Sequence, residues 1–312
     1  MAAQGATSRV LVAGISISHP DRVIYPDGGV TKLDIARYYD AVAERMLPHV
    51  AGRPLTLLRC AGPIDADADK GGCTMMRHGK AWGPTVIRRV QIRELHKTGE
   101  YLVADTPAAL VGLAQMGVVE IHTWNARAEA PYEHDRVVID LDPGPDVPWT
   151  DVVAAAKLVR RMLADLGLQS WVKTTGGKGL HVVAPIEPTT IDSCLDFARG
   201  IAASLVAHAP SRFTTATAKA GRAQLILIDI MRNNRTNTSV SAYSLRARRG
   251  APVSMPIRWQ DLGGRLDPAG LTLVSVTSPQ RHNRDPWADY WTVRQRLPAN
   301  LAQGANHRAA EL

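Results

Sequence analysis

Residues 136–186 alternate between strand and helix patterns, and this alternation constrains the fold more than any other feature of the sequence. A β-branched run at residues 137–139 predicts a strand that enters a turn beyond Asp140 and Asp142. An amphipathic helix pattern follows, and two further strand patterns come after it. The predicted elements are a strand at 137–139, a helix between Thr150 and Gly167, and strands at 170–173 and 181–184. The passage therefore has a βαβ-like order of elements.

Further helices and one more strand are predicted outside this passage. Thr31 and Asp34 have the spacing of a capping box, so a helix is expected to begin there. Residues 61–83 are rich in Gly and Asp and predict a long loop. The other predicted elements are helices from Thr31 to about residue 47, at 107–116 and at 191–207, and a strand at 225–230.

The two ends of the chain differ from its body. Small and polar residues predict a flexible N-terminus at residues 1–15 and a flexible tail at 298–312, and the folded body is expected at 16–297. No apolar run approaches the roughly 18 residues that a membrane span needs, and the N-terminus has no signal-peptide pattern. We therefore expect a soluble, non-secreted protein that is long enough to bury a large core.

Charge and cysteine content indicate the partner class and the redox compartment. Lys and Arg exceed Asp and Glu by 37 − 29 = 8, so the field of the protein attracts polyanions, and nucleic acid is the leading partner class. Cys60, Cys73 and Cys194 form no C-x-x-C pair and are too few for a disulfide framework. We expect three isolated thiols in a reducing compartment and no structural zinc.

Three carboxylates are candidate ligands for divalent cations. Side chains alternate along a strand, so Asp140 and Asp142 project to the same side. Asp229 lies near the end of an apolar strand, where an unpaired charge is costly. Two Mg²⁺ or Mn²⁺ ions on such carboxylates suit phosphoryl transfer. The alternatives are a turn cap for Asp140 and Asp142, and for Asp229 a salt bridge to Arg232 or Arg235.

A glycine-rich loop at residues 173–181 is a candidate triphosphate site. Its glycines allow close backbone approach and expose N–H groups, while Thr175, Lys178 and His181 offer further donors. The segment is not a Walker A loop, because that motif is absent and a strand follows rather than a helix. The alternative is a glycine-rich hairpin turn.

Three other side chains are weaker candidates by themselves. Arg232 and Arg246 belong to an arginine-rich region, and Arg is suited to bidentate phosphate contact. The alternative for both is a solvated surface charge. His122 lies in the segment Glu120-Ile121-His122-Thr123-Trp124, and its alternative is a satisfied core histidine.

The motifs in combination carry much more information than any one of them. Over residues 16–263 the chain resembles the polymerase domain of bacterial ligase D, a member of the archaeo-eukaryotic primase superfamily. The segments that carry the resemblance are HPDRVIYPDGGVTK near the start, GRPLTLLRC at 52–60, GEYLVADTPAALVGLAQMGVVEIHTWNAR at 99–127, VVIDLDPGPDVPW at 137–149, WVKTTGGKGLHVVAPI at 171–186, ILIDIMRNNR at 226–235 and AYSLRARRGAPVS at 242–254.

The resemblance implies a primase-like catalytic module with a central, mostly antiparallel sheet, packed closely with an N-terminal α/β module. It assigns two Mn²⁺ or Mg²⁺ ions to the three aspartates, and the nucleotide to a larger set of residues. It also places basic residues on DNA, two of them on the 5′-phosphate at a gap or break. The implied residues are Asp140, Asp142 and Asp229 for metal, Thr175, His181, Arg232, Arg246 and His122 for nucleotide, Arg22 and Lys32 for the 5′-phosphate, and Arg59 near the template. Lys178 joins the nucleotide set from the chemistry of the glycine-rich loop.

The implied function is a DNA repair polymerase of non-homologous end joining, located in the bacterial cytoplasm with the nucleoid. It would prefer ribonucleotides and cooperate with Ku and a DNA ligase. The K-x-D-G motif of a ligase nucleophile is absent, because Lys32-Leu33-Asp34 continues with Ile35, so ligation is expected from another protein. The sequence departs from the family at Thr74, Met75 and Met76, where an aromatic platform usually stacks on a base. Two alternatives stay open: a primase that starts chains without a primer, and a catalytically weakened module that binds DNA ends. A two-carboxylate glycosidase explains neither the glycine loop nor the arginines.

Overall fold

The structure of the chain, a computed structural model, describes residues 10–64, 72–79, 83–94, 96–278 and 285–298. The helices in chain order are α1 (Lys32–Ala41), α2 (Ala43–Val50), α3 (Pro107–Gln115), α4 (Trp149–Asp165), α5 (Ile191–His208) and α6 (Leu273–Val276). The strands are β1 (Val10–Val12), β2 (Ile15–Ile17), β3 (Val23–Tyr25), β4 (Val30–Thr31), β5 (Leu55–Cys60), β6 (Cys73–Met76), β7 (Arg88–Arg93), β8 (Thr98–Val103), β9 (Val118–Thr123), β10 (Ala126–Arg127), β11 (Ala130–Pro143), β12 (Trp171–Thr174), β13 (Leu180–Thr190), β14 (Phe213–Thr214), β15 (Ile226–Asp229), β16 (Ser239–Val240) and β17 (Pro256–Ile257).

The chain folds into two compact units, each built from several segments. The first unit comprises Met1–Thr123, Val240–Ser254 and Ala269–Arg284, and the second comprises Trp124–Ser239, Met255–Pro268 and Asp285–Leu312. The predicted boundaries at residues 16 and 297 stay a prediction, although paired strand structure already begins at Val10 in the β1–β2 hairpin.

The second unit contains a seven-stranded sheet with the order β14-β15-β11-β13-β12-β17, and β10 also pairs with β11. Every pairing is antiparallel except the parallel contact of β14 with β15. Helices α4 and α5 pack against β11 and β13. The mostly antiparallel sheet within an α/β fold confirms the predicted fold class.

The local sequence explains the long central strand and the helix that follows it. Val137, Val138 and Ile139 of β11 are buried, as β-branched residues on a covered sheet should be. The apolar face of α4 is buried, and Gly167 closes the helix with a φ of 78°. The helix begins earlier than predicted, because Pro148 occupies the N-cap position instead of Thr150.

The first unit contains a four-stranded sheet with the order β16-β9-β5-β6 and three separate hairpins. The capping box at Thr31 and Asp34 is confirmed: the Thr31 hydroxyl accepts the Asp34 N–H, and the Asp34 carboxylate accepts the Thr31 N–H. The prediction of a single helix up to residue 47 is wrong, because the helix is interrupted at Val42 and forms two helices, α1 and α2.

A disulfide bond in the first unit contradicts the expectation of three free thiols. Cys60 and Cys73 face each other across β5 and β6, with 4.0 Å between their Cα atoms, and their sulfur atoms are bonded. A spacing of 13 residues gives no sequence motif, but the hairpin register brings the two side chains together. Cys194 is free and buried.

The β5–β6 hairpin shows that the prediction of a continuous loop at residues 61–83 is partly wrong. Residues 73–76 form β6, while residues 65–71 and 80–82 lie outside the described residues. No helix in the described part of the chain is both long enough and apolar enough to cross a membrane.

Candidate active site

Four polar side chains of the second unit form a row across its sheet. Asp229 of β15 is the register partner of Asp140 of β11, and Asp140 is also the partner of His181 of β13. His181 in turn is the partner of Lys173 of β12. Directly opposite residues in an antiparallel sheet project to the same face about 5 Å apart, so this row lies on one face. Asp142 joins the same face, two residues beyond Asp140.

Arginines compensate the charge of the three carboxylates. Arg232 Nε lies 3.0 Å from Asp140 Oδ2, and another nitrogen of the same guanidinium lies 3.2 Å from Asp229 Oδ2. Arg222 lies 3.3 Å from Asp142 Oδ2. The predicted alternative for Asp229, a salt bridge to Arg232, is therefore present, while Asp140 and Asp142 lie inside a strand rather than capping a turn.

Burial and neighbouring charges shift the pKa values of the two carboxylates on β11 in opposite directions. Burial raises the pKa of Asp140, but the interactions with His181 and Arg232 outweigh this effect and hold its pKa well below the usual range. Asp142 has a raised pKa, first because of partial burial and then because of the Asp140 charge. Repulsion between carboxylates on one face is the condition that a bound cation relieves.

His181 is buried beside Asp140, with 3.4 Å between Nε2 and Asp140 Oδ1. Burial, and next the charge of Lys173, lower the pKa of His181 to about 4. Burial thus disfavours the charged imidazole, and its Nε2 faces Asp140. Its Nδ1 is buried and has no hydrogen-bond partner among the described residues, so an additional donor could be accommodated there.

The glycine-rich loop connects β12 to β13, which are antiparallel neighbours, so it has the hairpin geometry of the alternative interpretation. The backbone N–H and the hydroxyl of Thr175 both donate to the Gly179 carbonyl. A Cβ atom at Gly179 would lie 2.6 Å from the Leu141 carbonyl oxygen, so this position requires glycine. Lys178 is exposed at the tip of the loop. Binding of a nucleotide by Thr175 and Lys178 stays a prediction.

The three aspartates have the donor type for Mg²⁺ or Mn²⁺ and share one face. Among the residues that the structure describes, no three His, Cys, Asp or Glu side chains are arranged to hold one ion. Instead, the Arg232 guanidinium bridges Asp140 and Asp229. The site therefore offers the donor chemistry for divalent cations, while Arg232 occupies the position between Asp140 and Asp229.

A second cluster lies in the first unit and contains two of the predicted nucleotide residues. The carboxylate of Glu120 on β9 lies 2.8 Å from His122 Nε2 and 3.1 Å from Arg246 Nε. The Ala247 N–H donates to the same carboxylate over 2.8 Å. Glu120 was missed as a site residue because an acidic residue within an apolar strand has no distinctive motif.

A third cluster contains the three predicted DNA residues of the first unit. Lys32 is buried, and its Nζ donates to the Ser18 carbonyl over 3.0 Å and to Gln115 Oε1 over 2.8 Å. Burial, then the charges of Arg22 and Arg59, lower the pKa of Lys32 to about 8. The three cations are thus close enough to repel one another. Arg59 belongs to this cluster, and its Nε donates to the Met116 carbonyl over 2.9 Å.

Sequence reasoning also missed Lys173, Arg222, Ser18 and Gln115. Lys173 could have been noticed as a lysine at the start of the glycine-rich loop. The roles of the other three become apparent only in the folded chain. The residues in place of the aromatic platform lie on β6, where Met75 is 51% exposed.

Comparison with solved structures gives the class of protein to which this fold belongs. The polymerase domain of Mycobacterium tuberculosis ligase D, solved in complex with DNA, matches with a TM-score of 0.81 and 29% identity, over 88% of this chain and 97% of that one. The fold is therefore that of a primase-like polymerase domain.

The family follows from sequence comparison. The family model described as LigD, primase-polymerase domain, matches residues 31–287, and the chain belongs to this family. The multifunctional non-homologous end joining protein LigD of Pseudomonas aeruginosa is 37% identical over 306 residues, which are 96% of this chain and 35% of that protein. The corresponding protein of M. tuberculosis is 33% identical over 264 residues. The chain spans about a third of the length of these relatives.

Proposed function

We propose that this chain is a DNA-directed nucleotidyl transferase that extends a primer 3′-hydroxyl at gaps and double-strand breaks by a two-metal mechanism, with a preference for ribonucleotides. The observation that carries the proposal is the cross-strand row of Asp229, Asp140 and His181, with Asp142 on the same face. Membership of the LigD primase-polymerase family supports the assignment.

Asp140, Asp142 and Asp229 would hold the divalent cations, because carboxylate oxygen is the ligand that Mg²⁺ and Mn²⁺ favour. Bound cations would lower the pKa of the primer hydroxyl and neutralise the charge that develops on the leaving pyrophosphate. Arg232 must then leave its position between Asp140 and Asp229. Its guanidinium becomes able to contact the triphosphate from the edge of the same site.

In the proposed reaction the primer 3′-oxygen forms a bond to the α-phosphorus, and the bond from this phosphorus to the bridging oxygen breaks. Pyrophosphate leaves with that electron pair, and the hydroxyl proton passes to solvent. Arg232, Thr175 and exposed Lys178 would hold the phosphates, and His181, whose Nε2 faces Asp140, would accept one hydrogen bond at its buried Nδ1. A nucleotide-binding role for His122 and Arg246 is proposed from membership of the family.

We further propose that the DNA partner is a gapped or broken duplex with a 5′-phosphate. The proximity of Arg22 and Lys32 supports this, since the Lys32 N–H donates to the Arg22 carbonyl and neighbouring cations attract a phosphate; Arg59 stays assigned to a position near the template. The names of the relatives connect their function to end joining, and we propose Ku and a DNA ligase as cooperating proteins.

The test is primer extension on gapped DNA with Mn²⁺ or Mg²⁺, comparing ribonucleotides with deoxynucleotides side by side. Template-dependent extension that needs Asp140, Asp142 and Asp229 is the expected result. Product formed without a primer would indicate a primase instead. Binding of DNA ends without any product would indicate the weakened module, for which the exposed Met75 in place of an aromatic residue is the specific argument.

A further inference from the structure

Glu120 places a buried negative charge between two residues that we assign to the nucleotide. Its side chain is 5% exposed, compared with 13% for His122 and 17% for Arg246. One carboxylate oxygen faces His122 Nε2, and the other faces both Arg246 Nε and the Ala247 N–H.

This carboxylate is ionised at neutral pH despite its burial. Burial raises its pKa, but the hydrogen bond with His122, the charge of Arg246 and the Ala247 N–H outweigh that effect and lower the pKa to about 2. An ionised carboxylate inside a protein is costly unless it is paired in this way. A buried ion pair adds little stability by itself, so we ask what else the Glu120 charge does.

Attachment of the 241–254 segment to β9 does not require this charge. The Ser241 N–H donates to the Ile121 carbonyl over 2.9 Å, and the Ile121 N–H donates to the Ser244 hydroxyl over 2.8 Å. The Tyr25 hydroxyl donates to the Arg246 carbonyl over 2.7 Å. These uncharged bonds already hold the backbone, and Glu120 adds one further backbone bond, from the Ala247 N–H, together with its contacts to two side chains.

We propose that Glu120 is a positioning residue that orients His122 and Arg246 toward the nucleotide. Its carboxylate fixes the imidazole through Nε2 and holds the guanidinium through Nε, which directs the terminal nitrogens of Arg246 toward a phosphate. Glu120 itself does not contact the substrate. The inference rests on the proposed function, because it gives His122 and Arg246 their nucleotide role.

The deciding variant is Glu120→Gln, which keeps the side-chain volume and an oxygen for the Ala247 N–H but removes the charge. We expect kcat/KM for the incoming nucleotide to fall at least tenfold in primer extension, with DNA affinity unchanged. Asp105→Asn is the matched control, because Asp105 also accepts a backbone N–H, from Gly52, and binds an arginine, Arg88, outside this cluster. This control should keep wild-type kinetics.

A double-mutant cycle separates positioning from a structural role. In a His122→Ala background, Glu120→Gln should lose at least half of its effect, expressed as the logarithm of kcat/KM, because one of its two targets is gone. The proposal is overturned if Glu120→Gln has normal kinetics, if it only lowers the melting temperature while the folded enzyme works normally, or if the two substitutions act independently.

A spectroscopic measurement keeps this test separate from the proposed function. In ¹⁵N-labelled protein, the imidazole signals of His122, assigned by their loss in His122→Ala, should shift on Glu120→Gln, and Asp105→Asn should leave them in place. Absence of extension by the wild-type protein would refute the proposed function alone. Unchanged His122 signals in Glu120→Gln would refute the positioning role whatever the wild-type activity.

Discussion

The buried Lys32 predicts that recognition of a DNA 5′-phosphate depends on pH above neutrality. Lys32 is held by Ser18 and Gln115 and lies beside the charges of Arg22 and Arg59, which together with burial lower its pKa to about 8. A 5′-phosphate is fully ionised above pH 7.5, so only the lysine titrates over the range of interest. The protonated lysine is the form that attracts the phosphate.

The size of the effect follows from the fraction of protein that carries a protonated Lys32. With a pKa of about 8, this fraction is about 0.76 at pH 7.5 and about 0.09 at pH 9.0. Apparent affinity is reduced by the competent fraction, so the preference for a 5′-phosphate over a 5′-hydroxyl should fall about eightfold between these pH values. Lys32→Arg should retain its preference, because a guanidinium stays charged at pH 9.

The assay is fluorescence anisotropy with two gapped duplexes that differ only at the 5′ end, measured at constant ionic strength because DNA affinity depends on salt. Arg22→Ala with Lys32→Ala should bind both duplexes equally at either pH. A wild-type preference that stays constant from pH 7.5 to 9.0 would refute the reasoning. An equal decline in wild type and Lys32→Arg would attribute the effect to another group and refute it as well.

Other predictions concern the second unit and the disulfide. Asp140→Ala, Asp142→Ala and Asp229→Ala should each reduce extension below about a tenth of wild type with DNA binding retained, because each removes a proposed metal ligand; this is checked by extension and gel-shift assays on the same preparations. His181→Ala should raise the nucleotide KM or lower kcat, whereas a steep loss of melting temperature with normal kinetics would indicate a purely structural histidine. Cys73→Ser should lower the free energy of unfolding by about 2–3 kcal/mol in denaturant titrations, since the bond closes a short loop, and a reductant should destabilise the wild type but not the variant.

The Lys32 titration has a counterpart in stability, with a definite sign. A lysine whose pKa is lowered on folding binds fewer protons in the folded state than in the unfolded state between pH 8 and 10.5. The free energy of unfolding should therefore rise with pH in this window, by about 1–3 kcal/mol at most, and Lys32→Met should lack this rise. Chemical denaturation at pH 8 and pH 10 measures the difference, and parallel curves for the two proteins would contradict it.

The elements that could be predicted from sequence are those specified by neighbouring residues. The capping box at Thr31, the buried β-branched run of β11 and the closing Gly167 all have local physical causes, and the structure confirms them. The break at Val42 was missed because the apolar helical spacing continues through it. The Cys60–Cys73 bond was missed because it depends on the register of a hairpin that the sequence predicted as a loop.

The candidate site shows the same division between local and distant information. The alternation of a strand was enough to place Asp140 and Asp142 on one face. No spacing rule could place Asp229 opposite Asp140, because that pairing comes from the order of strands in the sheet. Glu120 and Gln115 likewise acquire meaning only through residues that are distant in sequence, namely Arg246 and Lys32.

The position of Arg232 shows that a structural and a functional interpretation of Asp229 are compatible. The sequence offered a salt bridge to Arg232 as the alternative to a metal site, and the structure contains this salt bridge, extended to Asp140. Carboxylates on one face repel each other, so a protein that uses them to bind cations must neutralise them by other means when no cation is bound. The Arg232 guanidinium neutralises Asp140 and Asp229 in this way. Under the proposed function, cations would take over this neutralisation, so the salt bridge does not argue against the proposed metal site.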